Sequence, residues 1–325
     1  MHLHKASSWT RAWRLAPVLL LAFIASASAA DWPSRPIHLI VPYPPGGGTD
    51  LVARMVGPKL AEALRQPVVI ENRVGANGAI AQDYVAKSPA DGYTISFDSM
   101  SVVITPIISK VPYDPVRDLQ PVAQLLSQAF VIVSTPGLPV KNMRDLMKAS
   151  KDKPGGLNAA APGASTRLAA ELFKLTTNAD LTFIPYKGGS QATLAIMSGE
   201  TDVGFMDVPS VLSSVQSGKM NAVAVTTASR VKLMPDVPTT SEAGLPDYRV
   251  DSWIGAFMAA NTPPDIVARL NTEINAALRS PDVIAKIQQL GGEASQSSVA
   301  EFTKLYRSEI DRWTEVVVRS KVKIE

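Results

Sequence analysis

Residues 42–50, PYPPGGGTD, place three consecutive glycines between an apolar, β-branched run at 37–41 and an amphipathic helical pattern at 51–64. A glycine loop that feeds a helix start suits an anion. Glycine lets backbone come close to a ligand, and the first helical turn carries N–H donors without internal partners at the positive end of the macrodipole. A second strand–loop–helix pattern over 157–173 repeats the arrangement. Its loop is Ala160-Ala161-Pro162-Gly163-Ala164, with Ser165 or Thr166 as the expected N-cap and Leu168, Leu172 and Phe173 on one helical face. Two such termini facing each other across a cleft would clamp a small acid.

Neighbouring motifs fit less well. The loop lacks the Lys-Ser/Thr ending of a phosphate-cradling P-loop, and the dinucleotide pattern G-x-G-x-x-G fails because Leu51 stands where its last glycine belongs. A tight Pro-Gly turn with no ligand would explain the first loop alone, but not its echo at 157–173. Catalytic chemistry has little material. Of three histidines, His2 and His4 lie in the N-terminal segment and His38 sits in the first strand run, where a satisfied structural position is the simpler fate. There is no cysteine, so thiol catalysis and disulfides are excluded, and a Ser-His-Asp triad or a His-rich metal site has no basis. Asp50, Asp98 and Asp207 show no paired spacing for acid–base work. Asp50 is better read as the N-cap of its helix or as a first-turn dipole partner. No metal or cofactor is expected.

The first thirty residues have the pattern of a cleavable export signal: basic Lys5, Arg11 and Arg14, an apolar stretch at 15–25, then small residues before Asp31. That stretch is shorter than the roughly 20 residues that span a bilayer. The segment holds three of the 32 basic residues and none of the 29 acidic ones, which leaves 29 of each in the expected mature chain. The nominal charge of +3 therefore belongs to the export signal. Nucleic acid and anionic membrane are not indicated as partners, and affinity for an anion must come from local geometry.

Roughly 295 mature residues suit one large or two medium domains. Short β-branched runs at 37–41, 68–71, 94–97, 130–134, 182–185, 203–205 and 222–226 alternate with helical patterns at 50–64, 77–87, 141–150, 166–177, 190–198 and 208–216. Further helices are expected at 265–277, 281–290 and 298–318. This is an α/β pattern of mostly parallel sheets flanked by helices, and both glycine loops fall at carboxyl ends of strands, where such sheets collect ligands. A change of domain near 128–134 and a return near 246–253 imply two chain crossings: lobe one from 31–130 plus 250–325, lobe two from 131–249. Trp253 at the return either packs the hinge or covers the cleft, while Trp32 and Trp313 read as core anchors.

The segments WPSRPIHLIVPYPPGGGTDLVAR, VVIENRVGANGAIAQDYVAKSPADGYT, VPYDPVRDLQPVAQL, IPYKGGSQATLAIMSGETDVGF, SGKMNAVAVTTASR, MPDVPTTSEAGLP and TPPDIVARLN together resemble the substrate-binding receptors of tripartite tricarboxylate transporters, the Bug-type periplasmic solute-binding proteins. The resemblance runs over essentially the whole mature sequence. It implies a two-lobed, type II periplasmic-binding-protein fold, no catalysis, a small organic acid as ligand, and delivery to a carrier with one large and one small integral membrane subunit. It also implies that one ligand carboxylate sits between the two loops, partly through waters. Carried over by residue, it selects Tyr43, Pro45, Gly46, Gly47, Thr49 and Asp50 in the first loop and Gly163, Ala164, Ser165 and Thr166 in the second.

The second loop departs from the family pattern. Ala161-Pro162 precede Gly163, and Arg167 stands where the family carries His, so one donor is lost and a fixed charge gained. Arg167 either meets the far carboxylate of a diacid or is an ordinary surface side chain of the helix. At other strand ends, Ser99, Tyr186 and Asp207 are further candidate ligand contacts, and Lys187 is structural or meets an anion. Asp98 replaces an uncharged family position. In the pocket, Asp98 or Asp207 would disfavour a trianion and favour a ligand with an amine or hydroxyl; otherwise Asp98 points to solvent or caps the next helix. The sequence thus points to a monomeric periplasmic receptor for a small organic (di)carboxylate, with a signalling sensor or an exported α/β enzyme acting on organic acids as alternatives.

Overall fold

A computed structural model describes residues 32–186 and 188–321; the expected export signal and Lys187 lie outside the described residues. The first strand, β1 (Ile37–Val41), buries every side chain but His38, as a strand covered on both faces must. His38 instead pairs with Glu71, Nδ1 to Oε1 2.5 Å. After β1 come α1 (Gly48–Leu64), β2 (Val68–Asn72), a 3-10 turn at Ala76–Gly78, α2 (Ala79–Ala86), β3 (Thr94–Ser99) and α3 (Ser101–Ile108). β1 lies between β2 and β3, parallel to both.

The next strand, β4 (Leu119–Ser134), is 16 residues long and joins the two halves of the molecule. The second half follows as α4 (Met143–Asp152), β5 (Leu157–Ala161), α5 (Ala164–Thr177), β6 (Leu181–Pro185), α6 (Gly189–Ser198), β7 (Val203–Asp207), α7 (Val208–Gln216) and β8 (Asn221–Val225). There β5 lies between β6 and β7, parallel to both. The chain returns through β9 (Asp251–Ala259) and closes with α8 (Pro264–Leu278), α9 (Pro281–Gln289), β10 (Gly292–Ala294) and α10 (Val299–Ser320). The strand order is β2-β1-β3-β9-β4-β7-β5-β6, with β8 and β10 also on β4. From Leu119 to Ala129, β4 pairs antiparallel with β9; from Phe130 to Ser134 it pairs with β7 and β8. The fold is therefore two-lobed α/β, a parallel triplet in each half linked by antiparallel strands.

The sequence pattern missed β9, β10, the first part of β4 and α3. Gly255 makes β9 look interrupted, yet a Cβ there would come within 2.2 Å of the Phe302 ring. The glycine is what lets α10 lie against the strand. In α3, SVVITPII, a β-branched run with Pro106 in its second turn reads as strand or loop. One aromatic cluster packs Trp253, Phe257, Phe302 and Tyr306, and another packs Phe173, Phe205 and Tyr248. Trp253 is thus a buried packing residue. α10 rests on α3, β4 and α5, so it reaches both halves.

Candidate functional site

The ends of β1, β5 and β7 open on one cleft with a volume of about 980 Å3. Its walls include Gly46–Thr49 from the β1–α1 turn and Pro162–Thr166 from the β5–α5 turn, so both glycine loops face a shared space. Gly188, Gly189, Asp207, Pro209 and Ser210 add the starts of α6 and α7. The N-caps of α1, α5, α6 and α7 are Gly47, Gly163, Gly188 and Asp207, and none receives a side-chain capping bond. First-turn N–H groups, unpartnered within their helices, thus gather around one cavity with the positive ends of their dipoles. The cap of α5 is Gly163, in extended conformation, rather than Ser165 or Thr166. The Thr166 hydroxyl donates back to the Gly163 carbonyl at 2.9 Å and fixes the turn.

In the first turn, Gly46 has φ +87°, a conformation that favours glycine. Asp50 is completely covered and accepts from Gly46 N–H (2.8 Å), Arg54 Nε (2.8 Å) and Nη2 (3.1 Å), and Asn72 Nδ2 (2.9 Å). The cover is the loop and Arg54 rather than deep core, so the hydrogen bonds outweigh desolvation. Led by Arg54, they hold this carboxyl down at about 2. Asn72 Nδ2 also donates to the Tyr43 carbonyl at 2.9 Å. Asp50 therefore braces the turn and does not line the cleft.

One wall of the cleft is a hydroxyl cluster on a buried acid. Asp98 accepts from Ser99 N–H (2.7 Å), Gln82 Nε2 (2.7 Å), Tyr43 Oη (3.0 Å) and Ser101 Oγ (3.0 Å). Tyr43 Oη also lies 2.6 Å from Ser99 Oγ and bonds Ser101 Oγ. Tyr43, Ser99 and Ser101 line the cleft; Asp98 sits behind them, fully buried, its carboxyl pushed up to about 6 by desolvation against these donors. It neither points to solvent nor reaches the cavity itself. Asp207 does reach it. Its side chain is exposed to the cleft, and the surrounding protein nevertheless raises its carboxyl above the ordinary value.

The chain from residue 52 to 321 matches the model of the tripartite tricarboxylate transporter family receptor. The chain belongs to this family. It is 35% identical over 306 residues to Protein BugT of Bordetella pertussis, covering 93% of this chain and 94% of that one. It is 36% identical over 308 residues to a UPF0065 protein from the tcbD-tcbE intergenic region of Pseudomonas sp., covering 92% of each. Among solved structures it is similar to R. palustris Rpa4515 with adipate, at TM-score 0.75 and 33% identity over 90% of this chain and 99% of that one. It is also similar to MatC from Rhodopseudomonas palustris with bound malate, at TM-score 0.72 and 30% identity over 88% of this chain and all of that one. This is a family of binding receptors rather than enzymes.

For a receptor of this family, the site residues expected from sequence divide cleanly. Tyr43, Gly46, Gly47, Thr49, Ser99, Gly163, Ala164, Ser165, Thr166 and Asp207 line the cleft. Pro45, Asp50 and Tyr186 do not: Pro45 is exposed outside it, Asp50 turns inward to its four donors, and the Tyr186 hydroxyl is held by Glu200 at 2.8 Å. Arg167 is also elsewhere. It pairs with Glu171 at 2.6 Å and stacks its guanidinium 3.7 Å from the Phe183 ring centroid, in a separate groove. Sequence reasoning passed over Gln128, Ser210, Ser252 and Gly189 as lining residues. Of these, the Gly188-Gly189 pair before a helix carried the same signal as the first loop.

Proposed function

We propose that this chain is an exported solute receptor that holds one carboxylate of a small organic acid between the β1–α1 and β5–α5 turns and passes the acid to a tripartite membrane carrier. The observation that carries this is the meeting of uncapped helix starts from both halves in a single cleft. A carboxylate there accepts from N–H groups of Gly48, Thr49, Ala164, Ser165 and Thr166 without a cationic side chain, and the dipoles add attraction. Malate and adipate bound in similar proteins support the ligand class. The periplasm is the expected place of work, since the N-terminal pattern is an export signal and no helix among the described residues is long and apolar enough to cross a membrane.

Residues 31–130 with 250–325 form one lobe in this reading and 131–249 the other, and the receptor acts as a monomer. Contacts from one ligand to both turns favour the closed arrangement, which is what the carrier recognises. Native mass spectrometry of freshly purified protein, followed by thermal-shift assays with mono-, di- and tricarboxylates and acidic amino acids, tests the reading. An acid at 100 times its Kd adds roughly 2.7 kcal/mol of stability. Absence of any shift across the panel contradicts a carboxylate receptor.

A further inference from the structure

The cleft has an end suited to an anion and another that is not. Among its described lining residues there is no Lys, Arg or His. The nearby guanidinium groups are engaged elsewhere, Arg54 with Asp50 and Arg167 with Glu171. Asp207 opens into the same space, and its carboxylate makes no capping bond to α7 and has no hydrogen bond or ion pair among the described residues. The hydroxyl wall adds to this polarity. The Tyr43 and Ser101 hydroxyls donate to the Asp98 carboxylate and Ser99 Oγ donates to Ser101 Oγ, so these protons are taken up within the cluster and a ligand meets oxygens that are left to accept.

We propose that, within the receptor function above on which this rests, the cleft selects an acid that also bears a cationic amine, with Asp207 as the ammonium's counter-ion and Asp98 as the residue that positions the acceptor wall. The carboxylate sits on the two glycine turns. The ammonium, with three donors and no acceptor, faces Asp207 and the hydroxyl oxygens. A second carboxylate would meet a carboxylate and lone pairs instead, and like-charge juxtaposition is costly in a confined site. Its favourable neighbours would be the first turns of α6 and α7; Lys187, which precedes Gly188 in the sequence, lies outside the described residues.

Calorimetric titration of the mature protein with ligand pairs of matched length tests this: succinate against 3-aminopropanoate, glutarate against 4-aminobutyrate, adipate against 5-aminopentanoate. In the tightest-binding pair the amine-bearing acid is expected to bind about tenfold or more tightly than the diacid. Asp207→Asn should remove that preference, Asp98→Asn should reduce it, and Lys187→Gln should leave it intact. A diacid that wins in the wild-type protein overturns the proposal, as does a preference that survives Asp207→Asn or vanishes with Lys187→Gln. In each of those cases carboxylate binding itself stands. Failure of every acid, including the monocarboxylates, overturns the receptor reading and this proposal with it.

Discussion

The two turns that face each other across the cleft are built on opposite principles. The β1–α1 turn has a carboxylate of its own: Asp50, in the first turn of α1, takes up the Gly46 N–H and ties the loop to Arg54 and Asn72. The β5–α5 turn has no acid in the first turn of its helix and is shaped by Pro162, an extended Gly163 and the Thr166 hydroxyl. The first is rigid but partly neutralised. The second keeps the whole positive end of its helix for a ligand. On this contrast α5 contributes more of the anion attraction and α1 more of the fixed geometry.

Placing an acid on each turn breaks the comparison most forcefully. Ser165→Asp puts the missing carboxylate into the first turn of α5, and acid affinity should fall about 100-fold, roughly 2.7 kcal/mol. The free protein should be unharmed or stabilised by about 0.3–1 kcal/mol, since an acid suits a helix start. Gly48→Asp, where an added Cβ meets nothing within 4 Å, should cost only about tenfold in affinity because α1 is already screened. Calorimetry on both variants decides it, and a larger loss from Gly48→Asp reverses the assignment.

Removing the brace comes next in size. Asp50→Ala leaves the Gly46 N–H and one Nδ2 hydrogen of Asn72 without their acceptor, and denaturant unfolding should register a loss of about 1–3 kcal/mol. An unchanged unfolding midpoint would mean that the turn holds its shape unaided. Asp98 behaves in the opposite sense with pH. Its carboxyl is raised from 3.8 to about 6, so between those values the folded state binds the proton more tightly than the unfolded one. The stability from this group is fully present below pH 3.8, falls as pH rises to about 6 and is flat above. The fall is at most about 3 kcal/mol. Thermal unfolding of wild type against Asp98→Asn should therefore diverge from pH 4 to 6 and run parallel beyond; constant separation across the range would show that Asp98 does not titrate there. Smallest of all in its effect on binding, Arg167→Ala should change acid affinity by less than about twofold, while stability falls by about 1–3 kcal/mol because the buried Glu171 carboxylate loses its partner along with the Phe183 stack.

These contrasts also mark what a linear reading can reach. The glycine run before α1 and the Pro-Gly before α5 are local signals, and strand, turn and helix followed from apolar spacing within a dozen residues. Side-chain direction was not local. Asp50 turns away from the cleft because Asn72, 22 residues later, donates to it, and Asp98 sinks behind the wall because Gln82, 16 residues earlier, waits there. Tyr186 follows Glu200 rather than the cavity. β9 stayed hidden because its Gly255 is explained only by Phe302, 47 positions on.

The claim that both turns grip one carboxylate is tested most directly by following backbone amides of the 15N-labelled protein by NMR during titration with succinate and, in parallel, with 4-aminobutyrate. The account predicts that Gly48, Thr49, Ala164, Ser165 and Thr166 shift together along one binding curve for whichever acid binds. Movement of only one turn, or two sets of amides with different midpoints, would contradict it.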